Sequence, residues 1–270
     1  MINITATEVL LRHDRLIIGT GLAVICLLSW LYIIAGAGTG MSTINMTTWQ
    51  LPLPAPSTSA VMPWSLFYWI IMACMWWVMM IAMMVPSAAP MVMLYTRVHR
   101  YAQKTGQMDP TVIPTAAFAS GYLLTWLVFS LAATSLQWLL EQAGLMHTMM
   151  MWITNNMLSG SFLMIAGIYQ LSPLKNICLK HCRSPADYLY RHWRRGRLGA
   201  ARMGLEHGLY CVGCCWSLMA LLFVGGVMNL VWIAGLAIFV LIEKLAQNGH
   251  WFGRASGLLM IIAGGYLLLA

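Results

Sequence analysis

Charge is what this sequence most conspicuously lacks. Only 8% of its 270 residues are Asp, Glu, Lys or Arg, against about 25% in an ordinary soluble domain. A water-soluble fold of this size could not hide a composition that is 60% hydrophobic, so the natural solvent is a bilayer. Carboxylates are scarcer still, seven in all, too few for paired acid–base catalysis. A G-x-S-x-G elbow, a phosphate loop and an H-E-x-x-H pair are also missing. These absences argue against an enzyme. No run interleaves basic residues with exposed aromatics in a polar domain, so the net charge of +8 is not read as nucleic-acid binding. It marks cytoplasmic loops instead. The seven cysteines are odd in number, and five fall in two short clusters. That is not a secreted disulfide framework and suits thiols kept for metal or redox work.

Long apolar runs are plentiful. A spanning helix needs about 20 residues, and seven stretches qualify: 16–35, 64–85 (continuing toward Tyr95), 112–140, 152–171, 204–224, 227–246 and 254–270. The first follows Arg12 and Arg15, but its apolar core exceeds that of a signal sequence, so it is expected to be a retained anchor. Residues 36–63 carry no charge and hold Pro52, Pro54, Pro56 and Pro63, the signature of an irregular loop. Pro86 and Pro90 are expected to end or kink the second span, because each lacks a donor and clashes with the preceding turn. Gly225-Gly226 should make a tight turn between the fifth and sixth. With the N-terminus in the cytoplasm, every one of the 15 Lys and Arg residues falls in an inner segment. The expected fold is therefore an all-α, polytopic transmembrane helix bundle of about seven spans, N-in and C-out. It divides into an anchor and Pro/Ser/Thr-rich outer loop at 1–63 and a six-helix metal-binding domain at 64–270.

Two thiol clusters carry the chemistry. Cys178, His181 and Cys182 lie just past the fourth span, and Cys178 and Cys182 share a face on a helical turn. His207, Cys211, Cys215 and Met219 are spaced by four along the fifth span, with Cys214 beside them. On one helix they form a stripe of imidazole, thiols and thioether. Both clusters lie at the cytoplasmic face and are expected to meet, with spans two, four and five packing together. Thiolate and thioether ligands select Cu(I), Zn or iron–sulfur centres. The 23 methionines favour Cu(I) over Zn. The competing reading is packing, since Cys is a common small hydrophobe in buried helices. That reading is preferred for Cys26 and Cys74.

Methionine forms a ladder in the second span. Met75, Met79 and Met83 make two M-x-x-x-M steps, Met80 and Met84 a third, and Met72, Met91 and Met93 extend the series. Such a face either passes Cu(I) between weak neutral ligands or simply packs. Met146, His147, Met149, Met150, Met151 and Met157 crowd the loop after the third span, as a copper-capture patch or as an interfacial segment. Glu206 and Glu243 sit at the inner ends of spans five and six, either as intramembrane charges with a role or snorkelling to the interface. Gly204 and Gly208 form G-x-x-x-G, which permits close helix approach.

Several runs together resemble a bacterial family of predicted metal-binding integral membrane proteins. They are Trp76-Trp-Val-Met-Met-Ile-Ala-Met-Met-Val-Pro86; Gly121-Tyr122 with Trp126; and Ala166-Gly-Ile-Tyr-Gln-Leu-Ser-Pro-Leu-Lys175 with Cys178 and Cys182-Arg-Ser-Pro185. To these are added Gly208 with Cys211-Val-Gly-Cys-Cys-Trp216 and Met219, and Glu243-Lys244. The resemblance covers roughly 64–270. It implies a membrane copper chaperone serving tyrosinase- or laccase-type oxidases, with Met79, Met80, Met83, Met84, Cys178, Cys182, Cys211, Cys214, Cys215 and Glu243 as site residues. His181 and His207 come from spacing alone. The expected partners are the lipid bilayer and a copper-dependent oxidase or soluble copper carrier. A thiol–disulfide oxidoreductase, using Cys211-Val-Gly-Cys214, and a metal-free assembly scaffold are the alternatives.

Overall fold

The computed structural model describes residues 6–40, 42–48, 63–104, 114–246 and 249–269, with backbone only for 6–15, 104 and 250. Pro52, Pro54 and Pro56, and the side chains of Arg12 and Arg15, therefore lie outside what is described. Every regular element among the described residues is helical: α1 (Ala6–Ile34), α2 (Leu66–Lys104), α3 (Thr115–Gln142), α4 (Asn156–Leu171), α5 (Pro173–Arg183), α6 (Pro185–His192), α7 (Gly196–Ala220), α8 (Leu222–Gly225), α9 (Leu230–Leu245) and α10 (Gly249–Leu269).

By length and composition, five of the described helices can cross a membrane: α1, α2, α3, α7 with α8, and α10. The pair α4–α5, bent by 64° at its break, makes a sixth if it counts as one span. The run at 227–246 becomes α9, only 16 residues long. Its rise of about 24 Å falls short of a hydrocarbon core about 30 Å thick. Side chains such as Leu27, Leu31, Ile165, Ile168, Leu259 and Ile262 lie outward and exposed, as lipid-facing residues should.

Pro86 and Pro90 do not end the second span. α2 runs through both for 39 residues. Pro86 leaves the carbonyl four residues back, that of Ala82, without its helical donor. The Cys26 thiol of α1 donates to that oxygen at 3.6 Å. Prolines are tolerated in membrane helices where a neighbour satisfies the freed group, and packing against α1 supplies that neighbour.

Ser172 and Pro173 turn the chain from α4 into α5. Ser172 is extended, at φ −71° and ψ 149°, and its hydroxyl accepts the Lys175 amide. The proline forces the residue before it out of the helical region, while the serine caps the new helix. α5 folds back onto α7, so the first thiol cluster returns to the second. The tight turn at Gly225-Gly226 is present: Gly226 holds φ +99°, and Asn229 caps α9 by accepting the Val231 amide.

Glycines set how closely α7 lies on α3. A methyl group added at Gly204 would overlap the Phe118 carbonyl, and one at Gly121 would overlap that of Ala201. Gly208 sits against Thr125, whose hydroxyl donates to the Leu205 carbonyl across the interface at 3.2 Å. The G-x-x-x-G pair thus performs the close packing its spacing predicts. α2 packs on α1, α3 and α9, and α7 on α3 and α5.

Candidate metal centre

The site is built where α5, α7, α2 and α9 converge. Cys182 on α5 brings its sulfur to 3.9 Å from that of Cys214 on α7. Cys214 and Cys215 both donate to the Cys211 carbonyl, at 3.1 and 2.8 Å. Cys215 also lies 3.9 Å from the Met84 sulfur on α2. Cys211, Cys214 and Cys215 are all buried. The Cys178 sulfur rests over Gly213, where a Cβ would lie 2.9 Å away. Lacking that atom, Gly213 lets α5 come down on α7.

Two polar side chains complete this cluster at Cys211. The Tyr122 hydroxyl lies 3.1 Å from the Cys211 sulfur. Lys244 donates to the same sulfur at 3.0 Å and to Ser87 Oγ at 3.1 Å. Lys244 is buried, and among the described residues it forms no ion pair with a carboxylate. A buried ammonium without an anion is costly. Here its nearest partner is a thiol that can become the missing anion.

Sulfurs sharing one ion at about 2.3 Å lie about 4 Å apart in trigonal or tetrahedral array. The Cys182–Cys214 and Cys215–Met84 separations of 3.9 Å match that spacing. Among the described residues, no group of three or more His, Cys, Asp and Glu is already arranged to hold a metal ion. Cys214 and Cys215 are turned to the Cys211 carbonyl. The donor set itself, several thiols and a thioether beside a cation, suits a soft monovalent ion.

The other predicted residues divide. Met75, Met79, Met80 and Met83 are buried in the main core with Met219, so the ladder faces protein and not lipid. His181 turns away from the sulfurs: its ring stacks on Tyr210 at 4.2 Å and its Nδ1 meets the Ile177 carbonyl at 2.9 Å. His207 is buried among Phe118, Tyr122 and Tyr188, with ring centroids 5.5–6.2 Å away. Its Nδ1 has no hydrogen-bond partner among the described residues. Glu243 is committed elsewhere. Its carboxylate takes Lys175 Nζ at 2.6 and 2.7 Å and Gln170 Nε2 at 3.0 Å. The Lys175 ammonium also donates to Gln170 Oε1. Arg183 caps the end of α9 through the Glu243 and Ala246 carbonyls. Glu206 pairs with Arg194 at 2.9 Å and Arg202 at 3.3 Å.

In the loop after α3, His147 Nδ1 accepts the amides of Met149 and Met150. Met146 and Met151 are buried, while Met149 and Met157 are exposed. The loop's imidazole therefore organises backbone, and only part of its thioether set faces outward.

Tyr122, Lys244, Gln170 and Lys175 were not singled out by spacing. Each stood only inside a family-like run. The available signal was that polar groups within apolar helices are expensive and need partners.

The PpoB2 family, described as a copper chaperone, matches residues 73–267. The chain belongs to that family. The match takes in both thiol clusters, most of the methionine ladder, Tyr122, Lys175, Glu243 and Lys244, and leaves α1 outside. No curated protein and no solved structure matches the chain.

Proposed function

We propose that this chain is a membrane copper chaperone that holds Cu(I) on the thiolates of Cys182, Cys211, Cys214 and Cys215 and hands it to a cuproenzyme. The observation that carries this reading is the meeting of two sequence-distant thiol clusters at 3.9 Å. Packing alone gives no reason to bring α5 thiols onto α7 thiols and then place a Lys ammonium against them. Met84 joins the thioether column to the cluster at Cys215, so the ion has weak neutral ligands on one side and strong anionic ones on the other. Cys178, whose sulfur rests over Gly213 between Cys211 and Cys214 in sequence, takes an exchange role in this reading. Metal binding requires deprotonated thiols, and Lys244 offsets part of the charge that results. Cu(I) is preferred to Zn because thioethers are poor zinc ligands.

The test is a titration of purified full-length protein with Cu(I) against a competing chelator. Wild type should bind copper, and the C182S/C211S/C214S variant should lose the tight site. Unchanged binding in that variant would overturn the assignment.

The topology that fits this role counts the short α9 as a seventh crossing, with the N-terminus in and the C-terminus out, in the bacterial inner membrane. It places the thiols toward the reducing cytoplasm, where they stay free. A reporter fused after Ala270 should then lie outside, and one inserted within 185–202 inside. The reverse at both sites would contradict the span count.

The approach of Cys182 to Cys214 also favours a second reading, a thiol–disulfide oxidoreductase. The thiol state in cells separates the two. A redox enzyme cycles through a disulfide, whereas a chaperone keeps its thiols reduced and carries copper.

A further inference from the structure

Glu141 is a second acid buried in the bundle, and unlike Glu243 it has no cation partner among the described residues. It lies near the end of α3, 5% exposed. One carboxylate oxygen accepts Trp64 Nε1 at 2.8 Å and the other accepts Gln137 Nε2 at 2.9 Å. Gln137 is itself fixed, since its Oε1 accepts Trp76 Nε1 at 2.8 Å and its amide nitrogen lies 3.9 Å from the Met72 sulfur. No Lys, Arg or His pairs with Glu141 among the described residues. The sequence supplies no Lys or Arg nearby either, for neither 16–96 nor 105–174 contains one. A carboxylate offers about four lone-pair positions, and two are taken here.

This carboxylate stands at the opposite end of the thioether column from the thiols. Met72, beside Gln137, begins a series on α2 that runs through Met75, Met79, Met80 and Met83 to Met84 at Cys215, all buried. Twelve residues separate Met72 from Met84, a helical rise of about 18 Å.

We propose that Glu141 and Met72 form a second, loading site for a soft monovalent cation at the far end of the methionine column, with Gln137 as its positioning residue. The proposal rests on the copper reading above. Burial without a counter-charge disfavours the ionised carboxylate, and a bound cation would stabilise it. The thioether supplies softness that a carboxylate lacks, and one anionic with one weak neutral ligand makes a site that fills and also empties. The fixed Gln137 amide lies against both the Met72 sulfur and the Glu141 carboxylate, and so holds the two ligands toward one point.

The experiment uses full-length protein in detergent, titrated with Cu(I) against a chelator and with Ag(I) as a redox-inert probe. Wild type should bind one ion more than Glu141→Gln. The C182S/C211S/C214S variant should retain one ion whose X-ray absorption shows oxygen together with a single sulfur. In that background Glu141→Gln should abolish the retained ion. Met72→Leu and Gln137→Leu should each weaken it by about 10–100-fold, the usual cost of a disturbed ligand or supporting shell. Full stoichiometry in Glu141→Gln, or no retained ion in the thiol variant, would sink the loading site and leave the copper reading standing. Wild type that takes neither Cu(I) nor Ag(I) would sink both. Should Glu141→Gln fail to fold, Met72→Leu decides, and unchanged affinity there overturns the proposal.

Discussion

Glu243 and Lys244 are adjacent on α9, yet they build two different kinds of site. Glu243 closes a saturated one. Lys175, Gln170 and the carboxylate satisfy one another within 3.0 Å, and both ions are nearly inaccessible. Lys244 faces the thiols and meets Cys211 and Ser87 without an ion-pair partner among the described residues. The first arrangement has its anion in place. The second holds a cation ready for an anion that appears only when thiols lose protons. A closed ion pair holds helices together, whereas the incomplete one beside sulfur is where the proposed function places the cargo.

The comparison can be broken most sharply at Lys175. Lys175→Met leaves Glu243 buried without its cation, which should cost about 3–5 kcal/mol in unfolding free energy. Removing both partners, as K175M/E243L, should recover most of it, because an apolar pair of similar volume avoids desolvation. Denaturant unfolding in detergent measures both. A single variant as stable as wild type would show that the pair is not buried as described.

Lys244→Met is the complementary change. It should fold nearly as well as wild type, since neutral thiols need no counter-charge. Its Cu(I) affinity should fall by about 10–100-fold in chelator competition. A stability loss as large as that of K175M, with copper affinity unchanged, would erase the distinction between the two sites.

Met84→Leu should have the smallest effect. The swap conserves volume, so the stability change should stay below about 1.5 kcal/mol. The thioether next to Cys215 is gone, however, so copper affinity should fall a few-fold. An identical affinity would make Met84 packing only and would end the column one step short of the thiols.

Much of this was legible before any coordinates. A repeat of four puts Cys211 and Cys215 on one helical face whatever surrounds them, and the glycines at 204 and 208 announce a close neighbour. The histidines chosen by spacing make ring contacts instead, for a related reason. Periodicity says which side chains share a stripe, not which end of the stripe meets the partner helix. His207 thus falls among aromatic rings, and His181 lies flat on Tyr210. The prolines do not end α2, because the carbonyl that Pro86 leaves without its helical donor finds another one. The donor for Ala82 comes from Cys26, 56 residues away.

The sequence by itself determined a helical chain made for a bilayer, two groups of cysteine, and a methionine face at helical spacing. These follow from composition and local periodicity, which act over a few turns. Only the tertiary structure decided that Cys182 meets Cys214, that Lys244 and Tyr122 reach Cys211, that Glu243 belongs to Lys175, and that Glu141 is left with no cation among the described residues. Those pairings join residues 32 to 89 positions apart where they exist. Each depends on the depth and rotation at which helices lock through glycine contacts and a capped turn, and a one-dimensional pattern does not encode that geometry.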